Sequence, residues 1–202
     1  MAIMIGNENN LHKLFENSPV IRSRDVVKTG HSRIFLTRAV KAGRIKRIAP
    51  GLYSLPEFRQ SEHGNLSLVA SKSPEIVVCL LSALRFHELT TQSPFEVWIA
   101  IENKAYPPRL EYPKLKVFRF AAASLEQGIE VHVIDGVTVR ITSIEKTIAD
   151  CFKFRSKVGV AVAMEALREA HASKRLNQNE LWKYAKIDRV ANIMLPYLEA
   201  IR

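Results

Sequence analysis

Between Asn10 and Pro56 the apolar positions recur first at helical spacing and then switch to a period of two. Leu11, Leu14 and Phe15 give one face to a helix over Asn10–Asn17. Ser18-Pro19-Val20 breaks that pattern. Ser23 then stands where a helix cap belongs, Val26 and Val27 are set inward, and Gly30 ends a second helix. Ser32 caps a third helix and Gly43 stops it, with Leu36, Ala39 and Val40 as its inward face. Arg33, Thr37, Arg38 and Lys41 fall on another face of that helix. Beyond Gly43 the spacing becomes that of strands. Ile45 and Ile48 flank Lys46 and Arg47, and Pro50-Gly51 turns the chain back through Leu52-Tyr53-Ser54-Leu55. A short helix followed by a basic hairpin is the outline of a winged helix-turn-helix, which reads duplex DNA.

After Pro56 the pattern alternates. Pro56 to Gly64 is polar and punctuated, the best linker in the chain, which places a boundary near Gln60 and predicts domains over 1–60 and 61–202. Asn65–Ser71 reads as helix, Glu75–Leu81 as a short apolar strand, and Ser82–Leu89 as helix. Phe95–Ile101 is β-branched and aromatic, Ala105–Pro113 is a loop, and Lys116–Phe120 alternates as a strand. Ile129–Ile134, Asp135-Gly136 and Val137–Ile141 make the clearest hairpin, because Asp-Gly supplies the turn between two β-branched runs. From Ser143, a candidate cap, the pattern is helical, with further helices over Gly159–Ala172, Asn179–Ala185 and Arg189–Ile201. The expected class is α+β: an N-terminal winged helix-turn-helix, then a mixed α/β domain with a largely antiparallel sheet and a helical C-terminus.

Charge sharpens the picture. The 202 residues carry a formal net charge of +10 with an ordinary apolar fraction of 47%. Residues 1–60 hold 11 Lys/Arg against 4 Asp/Glu, whereas residues 61–202 hold 19 against 16. The excess sits on the DNA-reading segment, as a polyanion partner requires. Cys79 and Cys151 lie in apolar runs, so they are expected as buried thiols without metal-ligand spacing. The apolar start Met1–Gly6 is short and lacks a cationic lead for a signal peptide, and no apolar run is long enough to span a membrane. A cytoplasmic protein is expected.

The candidate DNA-binding residues are Ser32, Arg33, Thr37, Arg38, Lys41, Arg44, Lys46 and Arg47. Arg33 and Arg38 lead for base reading, since a guanidinium matches the major-groove edge of guanine. Arg44, Lys46 and Arg47 belong to the wing, suited to phosphate or minor groove. Glu145, Lys146 and Asp150 open a helix. Lys146 and Asp150 are spaced for an i,i+4 ion pair, read as pinning the helix rather than as catalysis. Glu102-Asn103-Lys104 ends a strand in Glu-x-Lys, the tail of a magnesium-dependent nuclease signature. There the carboxylate would hold the metal and the lysine orient water, with Glu75 or Glu88 as the second acid. A charged strand end is the ordinary meaning of that tripeptide. His87 and His132 sit in apolar settings without a second ligand at metal spacing, and neither a phosphate loop nor a nucleophile elbow is present. No enzymatic activity and no cofactor are expected.

Two segments carry a family likeness. One comprises Gly30, Ser32, Arg33, Leu36, Arg38, Val40, Gly43, Arg47, Pro50, Gly51 and Tyr53. The other is Leu81–Leu89 followed by Thr142-Ser143-Ile144-Glu145-Lys146-Thr147-Ile148-Ala149-Asp150. In this order they make the chain resemble the AbiEi antitoxins, the transcription-regulating partners of type IV toxin–antitoxin systems. The resemblance implies an autorepressor that binds inverted repeats in its promoter, with possible oligomerisation on DNA. It also implies a functional partner, an AbiEii-like nucleotidyltransferase toxin, that the second domain counteracts without need of direct contact. Lys146 stands where the family usually has Arg, and Ile34 and Phe35 where it often has small hydroxyl residues. Those two are expected to pack the helix on its own domain, the alternative being contact with thymine methyls. A winged-helix repressor with a sensing domain and no toxin partner, and the nuclease using Glu102 and Lys104, are the competing functions.

Overall fold

The computed structural model describes residues 11, 13–16 and 18–200, which divide into two compact units. The first takes in the chain to Ser71 together with Val133–Thr138; the second takes Lys72–His132 and the chain from Val139. The arrangement is α+β in both.

In the first unit Leu11 and residues 13–15 are helical, with Leu11 and Phe15 buried. Asn10 and Asn17, the expected ends of that helix, lie outside the described residues. The elements that follow are β1 (Val20–Arg22), α1 (Ser23–Lys28), α2 (Arg33–Lys41), β2 (Lys46–Ala49), β3 (Leu52–Ser54) and α3 (Gly64–Lys72). Strand β3 is central in an antiparallel sheet ordered β1-β3-β2, with an irregular register between Arg47 and Ala49. This is the winged-helix arrangement, two short helices and a hairpin.

Helix α1 departs from expectation twice. Ser23 is not its cap: Arg22 occupies that position with no side-chain bond, while the Ser23 N–H donates to the Gly51 carbonyl at 2.9 Å. The helix leaves β1 directly, so backbone from the wing turn takes over the work of a capping side chain. Val26 is buried but Val27 is exposed. Neighbouring helix positions are about 100° apart, and a six-residue helix has room for one inward stripe.

The core of this unit joins Leu11, Phe15, Ile21, Val26, Leu36, Ala39 and Ile45; a second cluster joins Val20, Leu52 and Leu68, with Ile48, Phe58 and Val137 against it. Each large apolar side chain so buried contributes about 1.5–3 kcal/mol of transfer free energy. The hairpin tip is held in the same unit. Asp135 accepts from the Ser61 N–H at 3.3 Å, and Gly136, at φ +73°, lies so near Pro19 that a Cβ there would come within 2.4 Å of its ring.

The second unit contains β4 (Val77–Val78), α4 (Leu80–Phe86), β5 (Val97–Glu102), β6 (Leu115–Phe120), α5 (Ala122–Leu125), and β7 (Ile129–Ile134) and β8 (Val137–Thr142) except for their hairpin end, Val133–Thr138, which belongs to the first unit. Helices α6 (Ile144–Lys153), α7 (Arg155–Val158), α8 (Val160–Ala172), α9 (Gln178–Ile187) and α10 (Ala191–Glu199) follow. The sheet runs β6-β5-β4-β8-β7. Strand β4 is antiparallel to β5, but β4 with β8 and β5 with β6 are parallel pairs. The sheet is therefore mixed, as expected, but with two parallel pairs it is not largely antiparallel. Strand direction is set by how connections cross, and the loop 103–114 carries the chain back to the starting end of β5 before β6 begins. The apolar run Glu75–Leu81 is strand only at Val77–Val78.

Ser143 caps α6, its Oγ accepting from the Lys146 N–H at 3.3 Å. Trp98 stacks on Phe118 at 4.9 Å within a core that includes Leu84, Ile148, Phe152, Leu167 and Tyr184. Gly128, at φ +62°, admits Lys146 and Tyr184 so closely that a Cβ would meet each at 2.8 Å.

Candidate nucleic-acid interface

Helix α2 is fixed at both ends and along one side. At its start the Ser32 Oγ accepts from the Phe35 N–H at 3.3 Å. At its end Gly43, at φ +69°, lets its own N–H reach the Val40 carbonyl and the Arg44 N–H reach the Ala39 carbonyl, both at 3.0 Å. That crossed pair of bonds is the Schellman stop, which a Cβ at Gly43 would strain. Leu36 and Ala39 are buried and Val40 is half-buried. The remaining sides carry Arg33, Thr37, Arg38 and Lys41, all exposed, and the helix contains no acidic residue. Thr37 spends its hydroxyl on the Arg33 carbonyl at 3.3 Å.

The wing divides its three cations. Arg47 is exposed. Lys46 is half-buried, and its ammonium donates to the carbonyls of Pro56, at 3.1 Å, and of Phe58. Arg44 is half-buried, and its Nε is buried without a hydrogen-bond partner among the described residues. Of the eight residues named from sequence, Arg33, Arg38, Lys41 and Arg47 are thus exposed cations with no ion pair among the described residues. Lys46 braces the segment that follows the wing.

Sequence reading misplaced one neighbour and missed another. Phe35 does pack, half-buried and stacked on His31 with ring centroids 4.7 Å apart. Ile34 does not: it is 62% exposed, beside Arg33. One residue before Phe35, it lies about 100° round the helix from that ring and faces away from the core. The His31–Phe35 stack, formed across the cap, carried no signal in the sequence beyond the i,i+4 spacing of two rings.

Residues 11–56 match the family of AbiEi antitoxin transcriptional regulators. The match lies wholly within the first unit and ends just past the wing. No curated protein matches the chain. The matched segment holds all eight candidate residues together with the cap and the glycine stop that present them.

The second unit contains a buried charge cluster that the sequence disclosed only in half. Lys146 pairs with Asp150 one turn along α6, as expected, and also with Asp188 at 3.0 Å and the Ser124 hydroxyl at 3.2 Å. Asp188, just beyond α9, also receives Lys153 at 2.8 Å and the Ser124 hydroxyl at 2.7 Å. Burial pushes the Asp150 carboxyl well above the usual carboxylate range. Burial acts the same way on Asp188, but hydrogen bonding with Asp150, the Lys146 charge, Lys153 and Ser124 outweigh it and hold Asp188 at about 2. Burial works against the Lys146 ammonium, yet Asp150 and Asp188 together raise its value. Glu145 does separate work, accepting from the Asn177 N–H at 2.9 Å where α9 begins. Only tertiary contact brings Asp188 to Lys146, so no local spacing announces it.

The other candidates find structural settings. His87 is buried, bonded through Nε2 to the Thr142 carbonyl at 2.7 Å, and burial lowers its pKa. His132 pairs with Glu130 at 2.9 Å. Cys79 and Cys151 are buried free thiols, pushed well up by that burial. Glu102 and Lys104 sit exposed at the end of β5, where Arg119 bonds the Glu102 carbonyl; Glu75 and Glu88 are exposed too. Among the described residues no group of three His, Cys, Asp or Glu could hold a metal ion, and no helix is long and apolar enough to cross a membrane.

Proposed function

We propose that the chain is a type IV antitoxin that binds duplex DNA in its own promoter, represses transcription there, and counteracts a nucleotidyltransferase toxin. One observation carries the reading. A short helix, capped by Ser32 and stopped at Gly43, turns Leu36 and Ala39 inward and leaves Arg33, Arg38 and Lys41 outward with no acid among them. In this reading α2 enters the major groove, Arg33 and Arg38 address guanine edges, and Lys41 and Arg47 address phosphates. Ile34, which is exposed, meets a thymine methyl in this reading. Ser32 and Thr37 act by shaping the helix, and Lys46 by holding the wing. The protein works as a binding module in the cytoplasm, without catalysis or cofactor.

The test is a footprint on the DNA upstream of the chain's own gene, with Arg33→Ala and Arg38→Ala beside the parent. Protection of a discrete site is expected, lost or relaxed in sequence preference in either variant. Lys41→Ala should weaken binding evenly across sequences and flatten the log–log salt dependence by about one unit. Absence of protection at physiological salt, or protection unchanged in both arginine variants, overturns the assignment. For the toxin, co-expression with an adjacent nucleotidyltransferase reading frame should restore growth, and failure to do so separates regulator from antitoxin.

A further inference from the structure

The five-stranded sheet ends at β7, and this edge is unlike the opposite one. Strand β6, at the other end, carries Lys116 and Arg119, the kind of charge that discourages strand addition. Strand β7 has neither lysine nor proline, and on one face it exposes Val131 and Val133, at 65% and 74%. Its register with β8 is fixed at both ends, by the two-residue Asp135-Gly136 turn and by the Ser143 N–H donating to the Gly128 carbonyl at 2.8 Å. Residues 128, 130, 132 and 134 therefore bond inward to β8. Ile129, Val131 and Val133 direct their N–H and C=O groups to the open side. Among the described residues, no other element bonds to those three backbones.

We propose that β7 is the seat of a second copy of this chain, the two strands pairing antiparallel about a two-fold axis at Val131. The side chains select that register. Outward-facing residues must meet outward-facing residues, and three symmetric alignments join more than one such residue of each copy, those centred on residue 130, 131 or 132. Centring on residue 130 sets Glu130 against Glu130 of the second copy, and centring on residue 132 sets His132 against His132. Centring on residue 131 sets each Glu130 against His132 of the other copy, Val131 against Val131, and Ile129 against Val133. One face is then wholly apolar, and the other alternates carboxylate with imidazole. Within one copy Glu130 and His132 already touch at 2.9 Å, so pairing extends an existing contact into a four-membered cluster. A carboxylate directly across a strand pair can accept the imidazole N–H, whereas two carboxylates set against each other repel. The proposal needs no DNA and rests on neither α2 nor the wing.

Sedimentation equilibrium of the full chain, over micromolar to submillimolar concentrations without DNA, tests it. The parent should dimerise. Val131→Lys, a change at an exposed position that sets two lysines against each other, should be monomeric throughout. Glu130→Lys and His132→Glu should each weaken association about tenfold, and the double exchange, which restores opposite charges in swapped places, should recover it. Because the His132 ring packs on Phe86 at 4.7 Å, thermal melting checks that each variant is folded. A parent monomeric at every concentration overturns the proposal. So does a dimer that survives Val131→Lys, or a folded double variant that fails to regain association.

Discussion

Replacing Asp188 by Asn probes how the second unit holds its helices. The carboxylate gathers Lys146, Lys153 and Ser124 within 3.0 Å and is itself buried. Holding it at about 2, against an ordinary 3.8, corresponds to about 2 kcal/mol of extra stability for the ionised form. The sign follows from the lowered value: the contribution is fully present above pH 3.8 and is lost as pH falls through about 2. In the variant, Asp150 inherits more of the Lys146 charge, which makes about 2 kcal/mol an upper figure. Both tryptophans, Trp98 and Trp182, lie in the second unit, so urea unfolding followed by their fluorescence reports that unit alone. We expect Asp188→Asn to be less stable than the parent by about 2 kcal/mol at pH 7, the gap closing between pH 4 and pH 2. An isosteric amide should then match the protonated acid. A gap that stays constant with pH, or one below about 0.5 kcal/mol at neutrality, would refute the view that Asp188 is an ionised anchor.

Other consequences separate structure from binding. Lys46→Glu should lower both the melting temperature and DNA affinity, because it removes the donor to Pro56 and Phe58. Arg47→Glu, at an exposed position, should lower affinity alone. Calorimetry beside a mobility-shift titration distinguishes the two, and equal melting losses would contradict the brace. Cys79 and Cys151 should resist a thiol reagent in the native protein and react fully in denaturant, since burial disfavours both thiolates. Rapid native labelling would mean that the core around α6 opens readily. Acidification below pH 6.5 should cost stability through His87, whose lowered value makes the unfolded chain the better proton acceptor. His87→Gln should flatten that part of the profile.

The legible parts were those governed by neighbours in sequence. The cap at Ser32, the stop at Gly43, the Asp135-Gly136 turn and the cap at Ser143 all operate within a few residues, and each does its local work in the structure. The exposed cations of α2 were legible because Leu36 and Ala39 fix which way the helix turns. Misreadings arose where a distant group supplied what a local one seemed to offer. Ser23 looked like a cap, but backbone from Gly51 already engages its N–H. Lys46 looked like a free wing cation, but carbonyls beyond the wing take its ammonium.

By itself, then, the order of residues determined where helices and turns begin and end, and which side of α2 carries charge, because backbone bonding and periodic burial act over one or two turns. Tertiary structure decided the rest: the parallel pairs in the sheet, the arrival of Asp188 beside Lys146, and the division of the wing cations between surface and brace. Strand direction and buried charge depend on which segments meet across a fold, and the energy that settles them exists only once those segments have been brought together.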